Sequence, residues 1–229
     1  PAVLWGLWSL IIRRNRSFLI PLVGFGAGFL PWLAAFDRQM YFFYASALVP
    51  FTAVLLALAL GNLAQRSLSM VAKNCGAAVP EPGEFTEADR AVLAQVDALL
   101  ERSRSAYAVQ DFHDALEETW RVLGEVNAYF ADQAPWVLRK TDEPRMRTVL
   151  YVTLQAVRRV ALLAQPVMPG SASRLLDLLG VPAEGDAGRT GASGTGPRSF
   201  AAFHEDLVPG TPLPAPQPVF PRHEEPAED

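Results

Sequence analysis

The 229-residue chain is half apolar, carries 20 basic and 24 acidic residues, and has a single cysteine, Cys75. One or two domains are expected at this length, and one cysteine excludes an internal disulfide and a cysteine-based zinc cluster. The charge is uneven: residues 1–60 hold four Arg and one Asp, a balance of +3, which leaves −7 for the remainder. Anion binding by the later part must therefore rest on a local patch and not on its overall field.

Residues 1–60 are almost wholly apolar and aromatic. A secretory signal peptide is not expected, because no basic stretch precedes Val3 and apolar character returns twice after Arg16. Segment 3–12 is too short to cross a bilayer, whereas 17–35 offers 19 residues without a charge and 40–60 offers 21. About 20 apolar residues cross a hydrocarbon core. Two to three hydrophobic transmembrane-type helices are thus favoured over a buried soluble hairpin, with the lipid bilayer as partner. Arg13, Arg14 and Arg16 should stay cytoplasmic, and Asp37-Arg38-Gln39 should form an external turn that sends the third segment back to the cytoplasm. The runs Pro21-Leu22-Val23-Gly24-Phe25, Gly28-Phe29-Leu30-Pro31-Trp32 and Asp37-Arg38-Gln39-Met40-Tyr41-Phe42-Phe43-Tyr44 resemble the later transmembrane part of bacterial protein O-mannosyltransferases. That family moves mannose from a polyprenyl-phosphate donor to Ser or Thr, using acidic residues in an early external loop that has no counterpart here. The resemblance implies a membrane fragment that is inactive as a transferase.

At Gly61-Asn62 the text changes to soluble helices joined by Pro- and Gly-containing stretches. The first is expected over 62–74, ended by Gly76, although both sides of the seam are helical and one continuous helix across Gly61 is compatible with the pattern. Thr86 is a plausible N-cap with Asp89 in the third helical position. The helix that follows aligns Val92, Val96, Leu99 and Leu100 on one face. A third helix over 111–131 uses Phe112, Leu116, Trp120, Leu123, Val126, Asn127 and Phe130. Pro144 opens a fourth, rich in Val and Leu, that stops before Pro166. A short fifth over 171–179 ends at Gly180. No alternating β pattern competes, so the fold class is all-α, an antiparallel helix bundle over 62–180. Residues 181–199 read as a flexible linker. Residues 200–222, with Phe200, Phe203, Leu207, Leu213, Val219 and Phe220 among prolines, should pack back on the bundle as an extended arm, and 223–229 should form a disordered acidic end.

No catalytic constellation emerges. His113, His204 and His223 have no carboxylate or cysteine at metal spacing. The Gly-rich 191–196 lacks the preceding strand, helix opening and lysine of a phosphate loop. The stronger signal is local. Asn62 and Arg66 stand four apart and share a helical face; both can hydrogen-bond base edges, and Arg can also stack. Pro135 should stop the preceding helix and expose the indole of Trp136 as a stacking platform. Arg139, Lys140, Arg145 and Arg147 lie nearby as positive charge for backbone phosphates. From the residues alone, a core Trp beside a solvated basic face remains the better reading.

The segments Asn62-Leu63-Ala64-Gln65-Arg66, Asp132-Gln133-Ala134-Pro135-Trp136 with Lys140, Gln165-Pro166-Val167-Met168-Pro169 and Val219-Phe220-Pro221-Arg222 resemble the anticodon-binding domain of methionyl-tRNA synthetase across 62–229. This resemblance implies a helical bundle of the class I synthetase type in which Asn62, Arg66 and Trp136 bind the CAU anticodon of methionine tRNA and Pro135 shapes the platform. The family's His-Ile-Gly-His and Lys-Met-Ser-Lys-Ser type motifs are absent from this sequence. So is its zinc-binding insertion. The ATP and Mg used by a parent synthetase thus belong to a catalytic domain that would be a partner, and no cofactor or metal is expected in this chain. The leading expectation is a noncatalytic tRNA-anticodon-binding module. The alternatives are a membrane-anchored remnant without tRNA affinity and an inactive mannosyltransferase fragment.

Overall fold

In a computed structural model of the protein, residues 19, 22–24, 27, 49–183 and 196–219 are described. From Val49 onward these residues form seven α-helices: α1 Val49–Asn74, α2 Glu87–Asp97, α3 Leu99–Ala108, α4 Phe112–Gln133, α5 Pro135–Thr141, α6 Glu143–Ala164 and α7 Pro169–Leu178. A 3-10 turn, Phe200–Ala202, lies in the C-terminal arm. The expected all-α bundle is present, and among the described residues the only β pairing is an isolated antiparallel bridge between Ala78 and Pro212.

The bundle is organised around α6. Every residue over 148–164 is buried, and the helix packs against α1, α2, α4, α5 and α7. A helix covered by neighbours on every side is a core helix, and here one face is polar: Gln155, Arg158 and Arg159 are buried with the rest. Its apolar residues Val149, Leu150, Val152, Leu154, Val157, Val160 and Leu163 are all at most 5% exposed. Asp142 caps its start by accepting from Arg145 N, with Pro144 in the first turn as expected.

The seam at Gly61-Asn62 is not a boundary of structure, because α1 runs straight through it. Leu55, Leu56 and Leu60 are at most 1% exposed and share a core with Leu63, Leu123, Val126 and Leu150. This alters the expected third membrane segment. By length and composition α1 could cross a bilayer, but half of its most apolar window is buried inside the bundle. The apolarity of 55–60 is accounted for by core packing, and residues placed in that core are not available to lipid. The part of that segment left before residue 55 is shorter than the roughly 20 residues a span needs. Most of the proposed earlier membrane segments and turn, 3–12, 17–35 and 37–39, lies outside the described residues, as do 184–195 of the linker expected over 181–199 and the whole of the end expected over 223–229.

Other departures are local. The predicted second helix is interrupted at Ala98, which separates α2 from α3 while keeping a right-handed helical backbone. Phe112 is not on the core face: it is 42% exposed and packs against Tyr107, ring centres 5.6 Å apart. Asn127 is half-buried and donates to the carbonyl of Leu123.

Residues 200–219 lie on the bundle and bury Phe203, Leu207, Leu213 and Val219, whereas Phe200, also expected to pack, is 37% exposed. Polar groups of α6 hold it. Arg158 donates to the carbonyls of Ala202 and Glu205 at 2.6 Å each, Arg159 to that of Phe203 at 3.2 Å, and Tyr151 to that of Leu207 at 3.1 Å. Farther along, Val79 N donates to Thr211 O, Gly210 N to Val79 O and Leu213 N to Ala77 O, fastening the arm beside the end of α1. Arg198 at the start of the arm pairs with Asp177 on α7.

Candidate nucleic-acid interface

Trp136 is projected by a sharp change of direction. Helix α4 ends at Gln133, Ala134 adopts a left-handed backbone at φ +44°, and α5 begins at Pro135. A proline at the first helical position costs no hydrogen bond, since that N–H would be unpaired anyway. The residue before a proline is disfavoured in the right-handed helical region. Together these end α4 and restart the chain along a new axis. The Ala134 carbonyl receives both Val137 N at 2.7 Å and Leu138 N at 3.2 Å, so the short helix hangs from the turn itself. Pro135 is buried, while Trp136 is 43% exposed.

Two other elements complete the surface. Phe130, fully buried on the last turns of α4, meets the indole edge-on with ring centres 6.0 Å apart. Arg66 on α1 lies with its guanidinium carbon 5.1 Å from the Phe130 ring centre and 5.8 Å from that of Trp136. Its helix is anchored by the buried neighbours Leu63, Ala64 and Ser67, the last donating to Leu63 O and Ala64 O. Asn62 is exposed one turn earlier on the same face. The structure thus brings Arg66 and Trp136 together, buries Pro135 at the start of the helix that carries Trp136, and leaves Asn62 exposed one turn from Arg66.

The nearby charges divide in two. Arg139 and Lys140 are exposed on α5 and make no ion pair among the described residues. Arg147 is paired with Glu143 at 2.7 Å. Arg145, expected as a phosphate contact, turns inward instead. It donates to both carboxylate oxygens of Asp89, at 2.5 and 2.8 Å, and to Oε1 of Gln133 at 2.6 Å. Arg145 turns inward because Asp89 is fully buried, and a buried carboxylate requires a partner.

Asp89 is the centre of that network. It closes the capping box with Thr86, accepting from Thr86 N at 2.8 Å, and it accepts from the Tyr129 hydroxyl at 2.5 Å. Burial alone would raise its carboxyl, but the Arg145 guanidinium, the Tyr129 hydroxyl and Thr86 outweigh burial and hold it at about 2. The same burial, reinforced by the neighbouring carboxylate, pushes the Tyr129 phenol above its ordinary value. The capping box was readable from Thr86 and Asp89. The long-range partners Tyr129, Arg145 and Gln133 left no local pattern.

An all-α bundle that presents an exposed indole and a stacked arginine at a proline-stopped helix end has the chemistry of a single-stranded RNA-loop binder. The family defined by the anticodon binding domain of methionyl tRNA ligase matches residues 79–226, and the chain belongs to it. The methionine–tRNA ligase of Mesorhizobium japonicum is 55% identical over 172 residues, covering 74% of this chain and 31% of that protein. Its counterpart in Mycobacterium tuberculosis is 54% identical over 171 residues, covering 73% and 31%. The crystal structure of the apo Mycobacterium tuberculosis methionyl-tRNA synthetase superposes with a TM-score of 0.68 at 52% identity, over 79% of this chain and 35% of that one. The same synthetase in complex with methionyl-adenylate gives 0.65 at 55% identity, over 72% and 31%. The chain therefore spans about a third of the length of the relatives it matches.

Proposed function

We propose that the chain binds the anticodon loop of methionine tRNA and reads CAU through Asn62, Arg66 and Trp136, with Pro135 setting the platform. The observation that carries this reading is the exposed Trp136 ring with the Arg66 guanidinium 5.8 Å from its centre. A base splayed from a loop can stack on the indole, and the Arg and Asn side chains offer donors and an acceptor for its edge. Arg139 and Lys140, exposed on the helix that carries Trp136, offer positive charge for backbone phosphates of the same loop, which would make binding salt-dependent. The relatives are methionine–tRNA ligases, and in such a ligase this bundle would hold the tRNA while ATP- and Mg-dependent ligation takes place elsewhere. Titration of the full chain with an RNA stem-loop displaying C-A-U is the test. Preferential binding over the same stem with the loop bases permuted supports the reading, and equal affinity for both contradicts it.

Residues before the bundle would also attach it to a membrane, a reading favoured by the 19 charge-free residues over 17–35. With Leu55, Leu56 and Leu60 in the bundle core, a span over 17–35 alone would set the bundle on the side opposite Arg13, Arg14 and Arg16. The cytoplasmic placement expected from the arginine rule therefore requires the chain to return before residue 49. Flotation with phospholipid vesicles checks it: co-migration of the full chain supports attachment, and recovery wholly in the vesicle-free fraction contradicts it. No observation favours mannosyl transfer.

A further inference from the structure

Ala134 holds a left-handed backbone that a non-glycine residue adopts at a cost of about 1 kcal/mol or more. Such a conformation persists only when its surroundings over-determine it. Downstream the turn is fixed by the burial of Pro135 and the half-buried Leu138. Upstream the last turn of α4 is held at two points, four residues apart and thus on one face. Tyr129 donates to Asp89, and Gln133 accepts from Arg145, the partner of that same Asp89. Helix ends fray unless tied, and here the tie reaches across to the N-cap of α2 and the first turn of α6.

We propose that Gln133 is a positioning residue for RNA recognition: its side-chain carbonyl, fixed by the Arg145–Asp89 ion pair, locks the end of α4 and so sets Trp136 against Phe130 and Arg66. The inference rests on the anticodon-binding reading above. Gln133 itself is only half-buried and reaches the site through the backbone of the turn. With the tie removed, the bundle core remains, but the last turn of α4 opens and the indole is no longer pre-set. Binding then carries the cost of ordering it.

The test is a double-mutant cycle on the full chain, read by titration with the C-A-U stem-loop. Gln133→Ala is expected to weaken binding about tenfold, within the usual range for coupled neighbouring groups. Gln133→Glu keeps an acceptor for Arg145 and is expected to stay within about threefold of the parent, since the charged pair preserves the tie. Trp136→Ala should remove the benefit of Gln133 altogether, so that Gln133→Ala in that background changes nothing further. Fluorine NMR of chain labelled with 5-fluorotryptophan gives a second readout: Gln133→Ala should shift or broaden the Trp136 signal and leave that of the buried Trp120 in place. Parent-like affinity of Gln133→Ala, an undiminished effect in the Trp136→Ala background, or a Trp120 signal moving together with that of Trp136 each overturns the positioning role. Parent-like affinity of Trp136→Ala instead overturns the anticodon reading, and the positioning role with it.

Discussion

The guanidinium of Arg66 lies over Phe130 and beside Trp136, 5.1 and 5.8 Å from the two ring centres, so one planar cation covers a buried ring and borders an exposed one. Planarity is the property this arrangement uses. Arg66→Lys retains the charge but loses the flat surface and its fixed fork of donors. Affinity for a C-A-U stem-loop is expected to fall by about tenfold, somewhat more than one exposed cation–π contact contributes. The slope of affinity against salt concentration should not change. A lysine variant that binds like the parent would mean that Arg66 acts only through its charge.

Acid should loosen the α2–α4–α6 junction before the rest. The Asp89 carboxyl sits at about 2 in the folded chain against an ordinary 3.8. A depressed carboxylate contributes stability that is fully present above its unfolded value and is lost as pH falls through its folded one. Urea midpoints should therefore be flat near neutrality and decline from about pH 4 towards pH 2. Glu118 is also lowered to about 2, by hydrogen bonds from Arg121 and then Arg102, and adds to the same slope. Asp89→Asn should flatten the decline, and Asp89→Ala should cost about 3 kcal/mol at neutral pH by leaving Arg145 and Tyr129 without their partner. Urea denaturation across pH measures both.

The arm depends on buried cationic donors. Arg158 is 3% exposed and supplies the carbonyls of Ala202 and Glu205 at 2.6 Å. Burial, aided by the adjacent Arg159, pulls its guanidinium below the ordinary value, yet the carbonyls are arranged to receive it as a cation. Arg158→Met removes these bonds and should cost about 3 kcal/mol, the size of one or two lost bonds to a charged group. Limited proteolysis should then cut within 196–207 much sooner than in the parent, with α1 to α6 still resistant.

Gly180 marks where the arm crosses the end of α7. Its φ is +69°, and a Cβ there would meet Thr211 Cγ2 at 3.0 Å and the Pro212 carbonyl at 3.2 Å. Gly180→Ala combines an unfavourable backbone with contact against another backbone, so a loss of about 1–3 kcal/mol is expected. Thermal unfolding should register it as a lowered midpoint. An unchanged midpoint would mean that the arm does not lie against this turn.

The elements most legible in the sequence were those written locally. Thr86 and Asp89 announced the start of α2, Pro144 that of α6, and Pro135 the end of α4, because capping and proline geometry act over a few residues. The α6 stripe was readable as apolar, but Tyr151, Gln155, Arg158 and Arg159 at helical spacing are a polar face that only the returning arm explains. Arg145 shows the limit most clearly. Its neighbours Arg139 and Lys140 are solvent-facing, and nothing local distinguishes it from them; its partner Asp89 is 56 residues away. The apolar run ending at Leu60 is ambiguous for a related reason, since a core helix and the end of a membrane span have the same composition.

The central claim is that an exposed indole at the α4–α5 turn reads an RNA loop. Its most direct measurement is the affinity of the full chain for a C-A-U stem-loop with Trp136 intact and with Trp136→Ala. Stacking of one base on an aromatic ring contributes about 1–3 kcal/mol, so the substitution should weaken binding by roughly 5- to 150-fold. More than half of the indole is covered, against Phe130 and Arg66, so the comparison is made at a temperature well below the thermal midpoint of both proteins. Equal affinity of parent and variant would contradict the account.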